Sequence, residues 1–544
     1  MNTRVRHYVP GIQMNTNTEP PTPNPRSLRT GTILALLILV AVPYVTALTH
    51  GFVYDDHGSI AENPFLQDNS NIAQAITLRT ITDPTVPDGR RPAVVLSYFT
   101  DRMIWGVKPF GYHVTNLLLH LLSVFLLLQL LRRLDLAPPF FAIAAALAFG
   151  LHPVLTEAVQ VPAFREDLLV SVFGLLYLLA AASREKLRRL AIPALVLALA
   201  SKESAVCLPF LAALMWVCFP ALLSNRKARS ALLGMSAVVM IVFIVLWSLG
   251  GSFQAASREW AGLGLAFPAN LFTAPWLWIS ALRVLLVPYP LVADYVIDPV
   301  SSLLSLRFAV GTAAVALWIW LVIRLRHKRP RLAFGMGWML LAFLPVANLV
   351  PLYNPFAERY LYFVTAGYAT VLAWALAAIP PARARSALLG LICAVYAVFS
   401  FARLAYWIDD YTLWSKTLEQ QPASARAHTW LGLELKKQGR FEEAFQYFVK
   451  ADQLNPNDVS ALVNIAILYG QNEMLNQAEA ALREAIRRRP NKADAHWNLA
   501  VCLQLQGRRE EARAQIEKTL ELEPRHVMAN RATAEMKAAD SESP

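Results

Sequence analysis

Apolar segments close to the length of a membrane-spanning helix alternate with short polar stretches between residues 31 and 406. A hydrocarbon core about 30 Å thick takes about 20 apolar residues to cross as a helix. The pattern therefore predicts a bundle of membrane-spanning helices. We place eleven spans, at residues 31–49, 112–131, 138–151, 168–183, 187–201, 205–223, 230–250, 306–324, 333–350, 361–379 and 386–406.

Two apolar segments need separate treatment. The first span follows a polar, Pro-rich tail at residues 1–30 and is not followed by a small-residue cleavage site. We interpret it as a retained span rather than a secretory signal. The segment 270–287 is apolar enough to cross a membrane, but prolines at positions 268, 288 and 290 flank it. We interpret it as a re-entrant or interfacial helix.

After residue 406 the sequence becomes polar, and four prolines recur at an interval of 34 residues, Pro422, Pro456, Pro490 and Pro524. This period is typical of tetratricopeptide (TPR) repeats, in which pairs of helices stack into a solenoid. Small and apolar residues keep the same phase. We place repeats at 425–458, 459–492 and 493–526, a preceding half-repeat at 407–421 and a capping helix to about 537.

The sequence therefore predicts an all-α protein, a polytopic membrane bundle followed by a TPR α-solenoid. Its domains are a tail at 1–30, a membrane domain at 31–406, a TPR domain at 407–537 and a short tail at 538–544. The composition agrees, because 56% of the residues are hydrophobic and only 16% are charged.

The formal charge of +12 lies largely in the short connections between apolar segments, which favours a topological role over nucleic-acid binding. Placing these basic connections and the N-terminus in the cytoplasm leaves loops 50–111, 152–167, 251–305 and 351–360, and a turn near Lys202, on the other side. The odd number of spans then makes the TPR domain extracytoplasmic. We expect an integral protein of a bacterial inner membrane.

The first outside loop carries two adjacent acids, Asp55 and Asp56, just after the first span. One carboxylate could act as general base on an acceptor hydroxyl, while its neighbour raises its pKa, orients the nucleophile or binds a cation. A turn or a helix cap is the simpler structural explanation of an isolated pair.

Polar residues recur at the same ends of other spans, which strengthens the catalytic hypothesis. They could instead be ion-paired or snorkelling residues. An arginine such as Arg359 suits a phosphate ligand, because its guanidinium forms two parallel hydrogen bonds. The candidates for binding the donor phosphate or substrate are His152, Glu157, Arg165, Asp167, Lys202, Glu203, Glu358 and Arg359.

A transferase on this face cannot draw easily on cytosolic nucleotide sugars, so its activated group would arrive on a membrane lipid. A polyprenyl phosphate sugar meets this requirement. Its phosphate leaving group could be stabilised by Arg359, Lys202 or Arg165, while Asp55 or Asp56 takes the acceptor proton. A single displacement would invert the anomeric centre.

Six stretches follow one another along the chain and precede the TPR repeats. They are FVYDDHGSIAENP, RRPAVVLSYF, KPFGYHVTNLLLH, LHPVLTEAVQVPAFREDLL, SKESAVCLPFL and NPFAERYLYF. Together with the repeats, they resemble the transmembrane and TPR repeat-containing O-mannosyltransferases of the C-superfamily of membrane glycosyltransferases. The resemblance implies a lipid-linked sugar donor, with mannose expected, a protein hydroxyl acceptor, and a carboxylate base at Asp55 or Asp56. The sequence departs from the family in having about three repeats where relatives often carry more.

Two other functions stay open at this point. A non-catalytic scaffold would use the TPR groove to assemble an envelope complex, and a lipid-linked saccharide flippase or polymerase would need more charge inside the spans. The TPR groove itself is expected to bind a protein or peptide acceptor. No cofactor is assigned, although Mg²⁺ or Mn²⁺ could lie beside the acidic pair.

Overall fold

The computed structural model describes residues 28–542 apart from 84–85, 87, 135–138, 184, 224, 250–264, 266 and 525. Most of the predicted tail at 1–30, part of the outside loop at 251–305 and the last residues of the C-terminal tail lie outside the described residues. Across the described ranges the regular structure is helical, with no β-strand. The predicted all-α bundle followed by a TPR solenoid is therefore confirmed.

The membrane domain is built from long helices joined by short helical turns. Several helices begin with proline as first residue, which suits that position because its backbone nitrogen has no helical partner. The principal α-helices are Thr30–Ala41, Pro92–Trp105, Pro109–Arg133, Pro139–Gly150, Arg165–Ala181, Ala191–Leu199, Leu208–Cys218, Arg226–Leu249, Ala269–Leu286, Leu306–Leu325, Pro330–Phe343, Tyr362–Ala377 and Ala382–Leu404.

Seven of the described helical segments are long and apolar enough to cross a membrane, or eight if the bent pair Pro139–Gly150 and Pro153–Gln160 forms one span. They establish a multi-pass membrane protein. Other segments predicted to span, at 168–183, 187–201, 205–223 and 333–350, coincide with shorter helices. A helix rises about 1.5 Å per residue, so Arg165–Ala181, with 17 residues, reaches the lower limit for a span, whereas the helices of the other three segments are shorter.

The segment predicted to be re-entrant or interfacial is a continuous helix, Ala269–Leu286, of 18 residues. It packs beside Leu306–Leu325, and Pro275 lies within it. The flanking prolines bound this helix without breaking it. Its length of about 27 Å is close to the thickness of the hydrocarbon core.

The C-terminal helices stack in pairs. The first, Asp410–Gln420, stands where the half-repeat was expected, and Val527–Glu542 follows the last pair. The pairs have buried alanines where their helices meet, at Ala444, Ala478 and Ala512. The paired helices are Ala425–Lys437 with Phe441–Leu454, Ser460–Gln471 with Leu475–Arg488, and Ala493–Leu505 with Arg509–Leu522.

The TPR domain packs directly on the end of the membrane domain that carries the first loop. One hydrophobic cluster joins Val53 and Tyr54 of that loop to Phe164 and to Trp414 of the first TPR helix. The repeats and the acidic pair therefore lie on the same face of the protein. This relationship does not depend on the distribution of basic residues.

Candidate functional site

The loop after the first helical segment turns sharply at Tyr54. Its backbone has a φ of +53°, a left-handed conformation that is costly for a residue with a large side chain. The Tyr54 ring is held edge-on by Phe164, Trp414 and Trp430, at centroid separations of 6.1, 5.1 and 5.4 Å. The turn brings the two adjacent acids, Asp55 and Asp56, into different surroundings.

Asp56 is completely buried, and both of its carboxylate oxygens are used by the backbone. It accepts hydrogen bonds from the N–H groups of Val53 at 3.1 Å and Ala163 at 2.7 Å. Burial raises the pKa of Asp56 to about 8, although the two hydrogen bonds oppose this shift. Asp56 therefore ties the loop to the segment before the helix Arg165–Ala181 and has no surface from which to reach a substrate.

Asp55 is partly exposed, and within the described part of the chain its carboxylate has no hydrogen-bond partner. Arg359 and Arg426 lie close enough to stabilise its charge, while Asp88 and Glu166 oppose it. Burial is the largest effect and raises the pKa of Asp55 to about 6. At neutral pH this carboxyl group is mostly ionised, so it can accept a proton.

Arg359 lies beside Asp55 and is paired with Glu157. The Glu157 carboxylate accepts from the backbone N–H of Arg359 at 2.8 Å and from Nη1 at 2.6 Å. The guanidinium also lies 4.0 Å from the centre of the Phe164 ring. Two of the predicted site residues, on segments about 200 positions apart, thus meet directly.

A cluster of buried and partly exposed charges lies next to this pair and is centred on two cations. Arg91 contacts Glu166 at 3.1 Å and Glu203 at 3.2 Å, while Lys202 Nζ lies 2.6 Å from Asp167. One oxygen of Glu166 is buried without a hydrogen-bond partner among the described residues. With Asp88, 3.5 Å from Arg91, the cluster contains more carboxylates than cations.

A cavity opens beside Lys202 and is polar at one end and apolar at the other. It is small, with a free volume of about 10 Å³, which is room for about one water molecule. Asp167, Ser204 and Tyr360 form the polar end, and Leu208, Val346 and Phe363 are among its apolar walls. Lys202 Nζ lies 5.5 Å from the centre of the Tyr360 ring, so a cation stands beside the polar end.

Three predicted site residues have structural partners that account for them. Arg165 has no exposed surface and binds Asp101 at 2.6 Å, with further bonds to Asn116, Ser97 and the Tyr112 carbonyl. Both ring nitrogens of His152 hydrogen-bond to the backbone, at Val154 and Leu285. These contacts hold helices together, as expected of polar groups buried in an apolar bundle.

Glu358 is the third of these residues. It is fully buried, and one carboxylate oxygen accepts from Tyr295 and from Arg403, each at 3.2 Å. It thereby joins the last membrane helix to the segment that carries Arg359.

The TPR domain supplies two charged residues to this region that the sequence patterns did not indicate. Asp410 binds the loop on either side of Asp55. Arg426 contacts Asp294 at 2.8 Å, hydrogen-bonds Asn354 and lies 4.5 Å from the centre of the Tyr353 ring. Nothing in the sequence around Asp410 or Arg426 distinguishes them from other charged residues of the repeats, so their contacts with the membrane domain could not be predicted.

Within the described residues, no group of three or more His, Cys, Asp and Glu side chains is arranged to hold a metal ion. The acidic pair is divided between a backbone-bonded Asp56 and a separate Asp55. The arrangement can still accept a proton at Asp55, and it holds two cations, Arg359 and Lys202, each paired with a carboxylate.

Two segments of the chain, residues 425–458 and 471–535, match family models described as tetratricopeptide repeat. The chain is also similar to curated proteins named protein O-mannosyl-transferase. One from Caenorhabditis elegans is 24% identical over 84% of this chain and 67% of its own length. Tmtc3 of Drosophila melanogaster is 23% identical over 83% of this chain and 58% of its own length, and TMTC4 of Homo sapiens is 27% identical over 73% and 63%. The chain thus spans 58 to 67% of the length of these relatives.

Among solved structures, the chain is similar to that of ArnT from Cupriavidus metallidurans bound to undecaprenyl phosphate. The sequence identity is 14% and the TM-score is 0.41, with 87% of this chain and 81% of that chain covered. Together, the curated relatives and the matched repeats confirm the resemblance that the ordered sequence motifs indicated.

Proposed function

The chain is a relative of the TPR-containing protein O-mannosyl-transferases, and from this relationship we propose that it is an inverting glycosyltransferase. It moves a hexose, with mannose expected, from a polyprenyl phosphate carrier to a hydroxyl group, most simply of a protein Ser or Thr. The observation that carries the proposal is the environment of Asp55, a partly exposed carboxylate near the guanidinium groups of Arg359 and Arg426.

In the proposed reaction the acceptor oxygen attacks the anomeric carbon, and the bond from that carbon to the phosphate oxygen breaks. The polyprenyl phosphate leaves with the electron pair, and Asp55 takes the proton of the acceptor hydroxyl. Arg359 and Lys202 stabilise the leaving phosphate. Asp56 is not the base, because its oxygens already bind two backbone N–H groups and its pKa of about 8 leaves it largely protonated at pH 7.

We place the junction between the phosphate and the lipid chain at the small cavity beside Lys202, which has to widen to admit a lipid. Its polar end lies next to the ammonium group, and its walls include the apolar side chains of Leu208, Val346 and Phe363. The acceptor would approach from the TPR side, where Arg426 and the Tyr54 ring border the loop. We further propose that this face is extracytoplasmic, with the N-terminus in the cytoplasm of a bacterial inner membrane.

Replacement of Asp55 tests the proposal. Membranes containing the full chain receive polyprenyl phosphate mannose labelled in the sugar, and transfer of label to protein is measured. We expect Asp55→Asn to lower transfer about 1000-fold with unchanged insertion, and Asp68→Asn, an exposed carboxylate of the same loop, to leave it unchanged. Full transfer by Asp55→Asn would remove the proposal and favour the scaffold function.

The reaction is written without a metal ion, and treatment of the same membranes with EDTA tests this choice. Loss of transfer that returns with Mg²⁺ or Mn²⁺ would add an ion to the proposed mechanism. A reporter fused to the C-terminus tests the orientation. A cytoplasmic reporter would place the loop and the TPR domain on the wrong side for a lipid-linked donor.

A further inference from the structure

Asp410, the first residue of the TPR helix Asp410–Gln420, binds the acidic loop on both sides of Asp55. Its Oδ1 accepts a hydrogen bond from the backbone N–H of Tyr54 at 2.7 Å. Its Oδ2 lies 2.7 Å from Nε2 of His57, with which it forms an ion pair when the histidine is protonated. One carboxylate of the TPR domain thus spans the residues that flank the acidic pair.

The loop has a reason to need this contact. Tyr54 has the left-handed backbone conformation, which costs of the order of 1 kcal/mol or more and persists only when surrounding contacts hold it. Asp410 is buried, with 7% of its surface exposed, so its contact with the buried Tyr54 N–H is shielded from water and salt, whereas the His57 side chain is 33% exposed. Two TPR tryptophans, Trp414 and Trp430, pack against the Tyr54 ring in the same place.

We infer that Asp410 is a positioning residue for Asp55, and that the TPR domain forms part of the active site as well as a surface for an acceptor. The inference rests on the proposed function, because it assigns Asp410 its effect through the base. Asp56 fixes the loop to the membrane domain and Asp410 fixes it to the TPR domain. Held between the two, Asp55 keeps one orientation toward Arg359.

Other contacts between the two domains do not involve Asp410. Arg426 and Ser424 both bind Asp294 of the membrane domain, at 2.8 and 2.7 Å. These contacts stay in place when Asp410 is replaced, and Asp56 still binds Ala163 N–H. Loss of Asp410 should therefore free the Tyr54–His57 segment without separating the domains.

The test compares three variants of the full-length protein. Asp410→Ala removes both contacts, whereas Asp410→Asn keeps an oxygen that can accept the Tyr54 N–H. The control is Asp409→Ala, because the neighbouring Asp409 caps the same helix through the Thr412 N–H and does not bind the loop. Hydrogen exchange of peptides covering 51–60 is measured together with kcat and KM for polyprenyl phosphate mannose.

We expect Asp410→Ala to speed exchange in 51–60, where the Tyr54 amide loses its acceptor, and to lower kcat about 100-fold with KM for the donor nearly unchanged. Asp410→Asn should keep both the exchange rate and kcat close to the wild-type values, and Asp409→Ala should change neither quantity. Unchanged exchange in Asp410→Ala, or faster exchange with normal kcat, would overturn the positioning role. The exchange result does not require transfer, so an inactive wild-type protein would count against the proposed function alone.

Discussion

The carboxylate of Asp56 accepts a 2.7 Å hydrogen bond from the backbone N–H of Ala163, which attaches the acidic loop to the membrane domain. Its other carboxylate oxygen accepts a hydrogen bond from the backbone N–H of Val53, so each oxygen of Asp56 already has a backbone donor. Adjacent acids that look equivalent in the sequence thus differ in their surroundings. Asp56 is bonded within the fold, whereas Asp55 is partly exposed.

We therefore expect Asp56→Asn to act on stability. The asparagine amide group would face one of the two backbone N–H donors, and leaving that donor unpaired in a buried site costs about 1–3 kcal/mol. The melting temperature of the detergent-solubilised protein should fall, and residual transfer per folded molecule should exceed that of Asp55→Asn. Loss of transfer with an unchanged melting temperature would instead make Asp56 the base.

The pH dependence of transfer should report Asp55. Burial raises its pKa to about 6, and the group must be ionised to take a proton. Transfer is therefore retained above pH 6 and falls about tenfold per pH unit below it. An ordinary exposed aspartate would place this limb near pH 4.

A TPR arginine offers a check on the assignment of this limb. Arg426 lowers the pKa of Asp55, so Arg426→Gln should move the rising limb to higher pH. Arg531→Gln, an exposed arginine of the last helix, should leave it in place. A limb that stays near pH 6 in both variants would mean that another group controls it.

Helices that follow a regular sequence period were predicted from the sequence more accurately than contacts between distant segments. The 34-residue phase of Ala444, Ala478 and Ala512 located the helix pairs because each repeat builds the same local packing. The prolines around 270–287 located the ends of a helix but not its placement, since proline at a helix boundary is the same whether the helix crosses the membrane or lies along it.

The candidate site was predictable only in part. The polar ends of the spans did identify Glu157, Arg359, Asp167 and Lys202, which the structure joins in pairs. The same signal included Arg165, whose partners hold the bundle together. A buried charge needs a partner whether or not it has a function, so burial cannot separate the two classes from sequence alone.

Lys202 should affect the leaving phosphate. We expect Lys202→Met to lower transfer about 100-fold, because a positioned charge at the leaving group is lost. The single variant also leaves Asp167 buried without its cation, which would destabilise the protein. The double variant Lys202→Met with Asp167→Asn removes this penalty. Transfer should remain low in the double variant, whereas its recovery would make Lys202 a structural residue.

A single substitution in a turn of the second TPR repeat should raise the stability of the domain. Gly439 and Gly507 have φ values of +77° and +79° at equivalent turns, but the second repeat has Glu473 there, at +61°. A side chain in the left-handed region costs about 1 kcal/mol, which glycine avoids. We expect Glu473→Gly to raise the stability of the TPR domain by several tenths of a kcal/mol, since glycine also loses more entropy on folding. Thermal unfolding of the full-length protein measures this change.

The converse substitution separates backbone strain from packing. A Cβ atom added at Gly439 would meet no atom within 4 Å, so Gly439→Ala changes the cost of the left-handed backbone without creating a clash. It should destabilise the domain by about 1 kcal/mol, because alanine is strained there. Opposite shifts from the two substitutions would establish that a backbone requirement recurs every 34 residues. A destabilising Glu473→Gly would show that the glutamate side chain contributes more than its backbone costs.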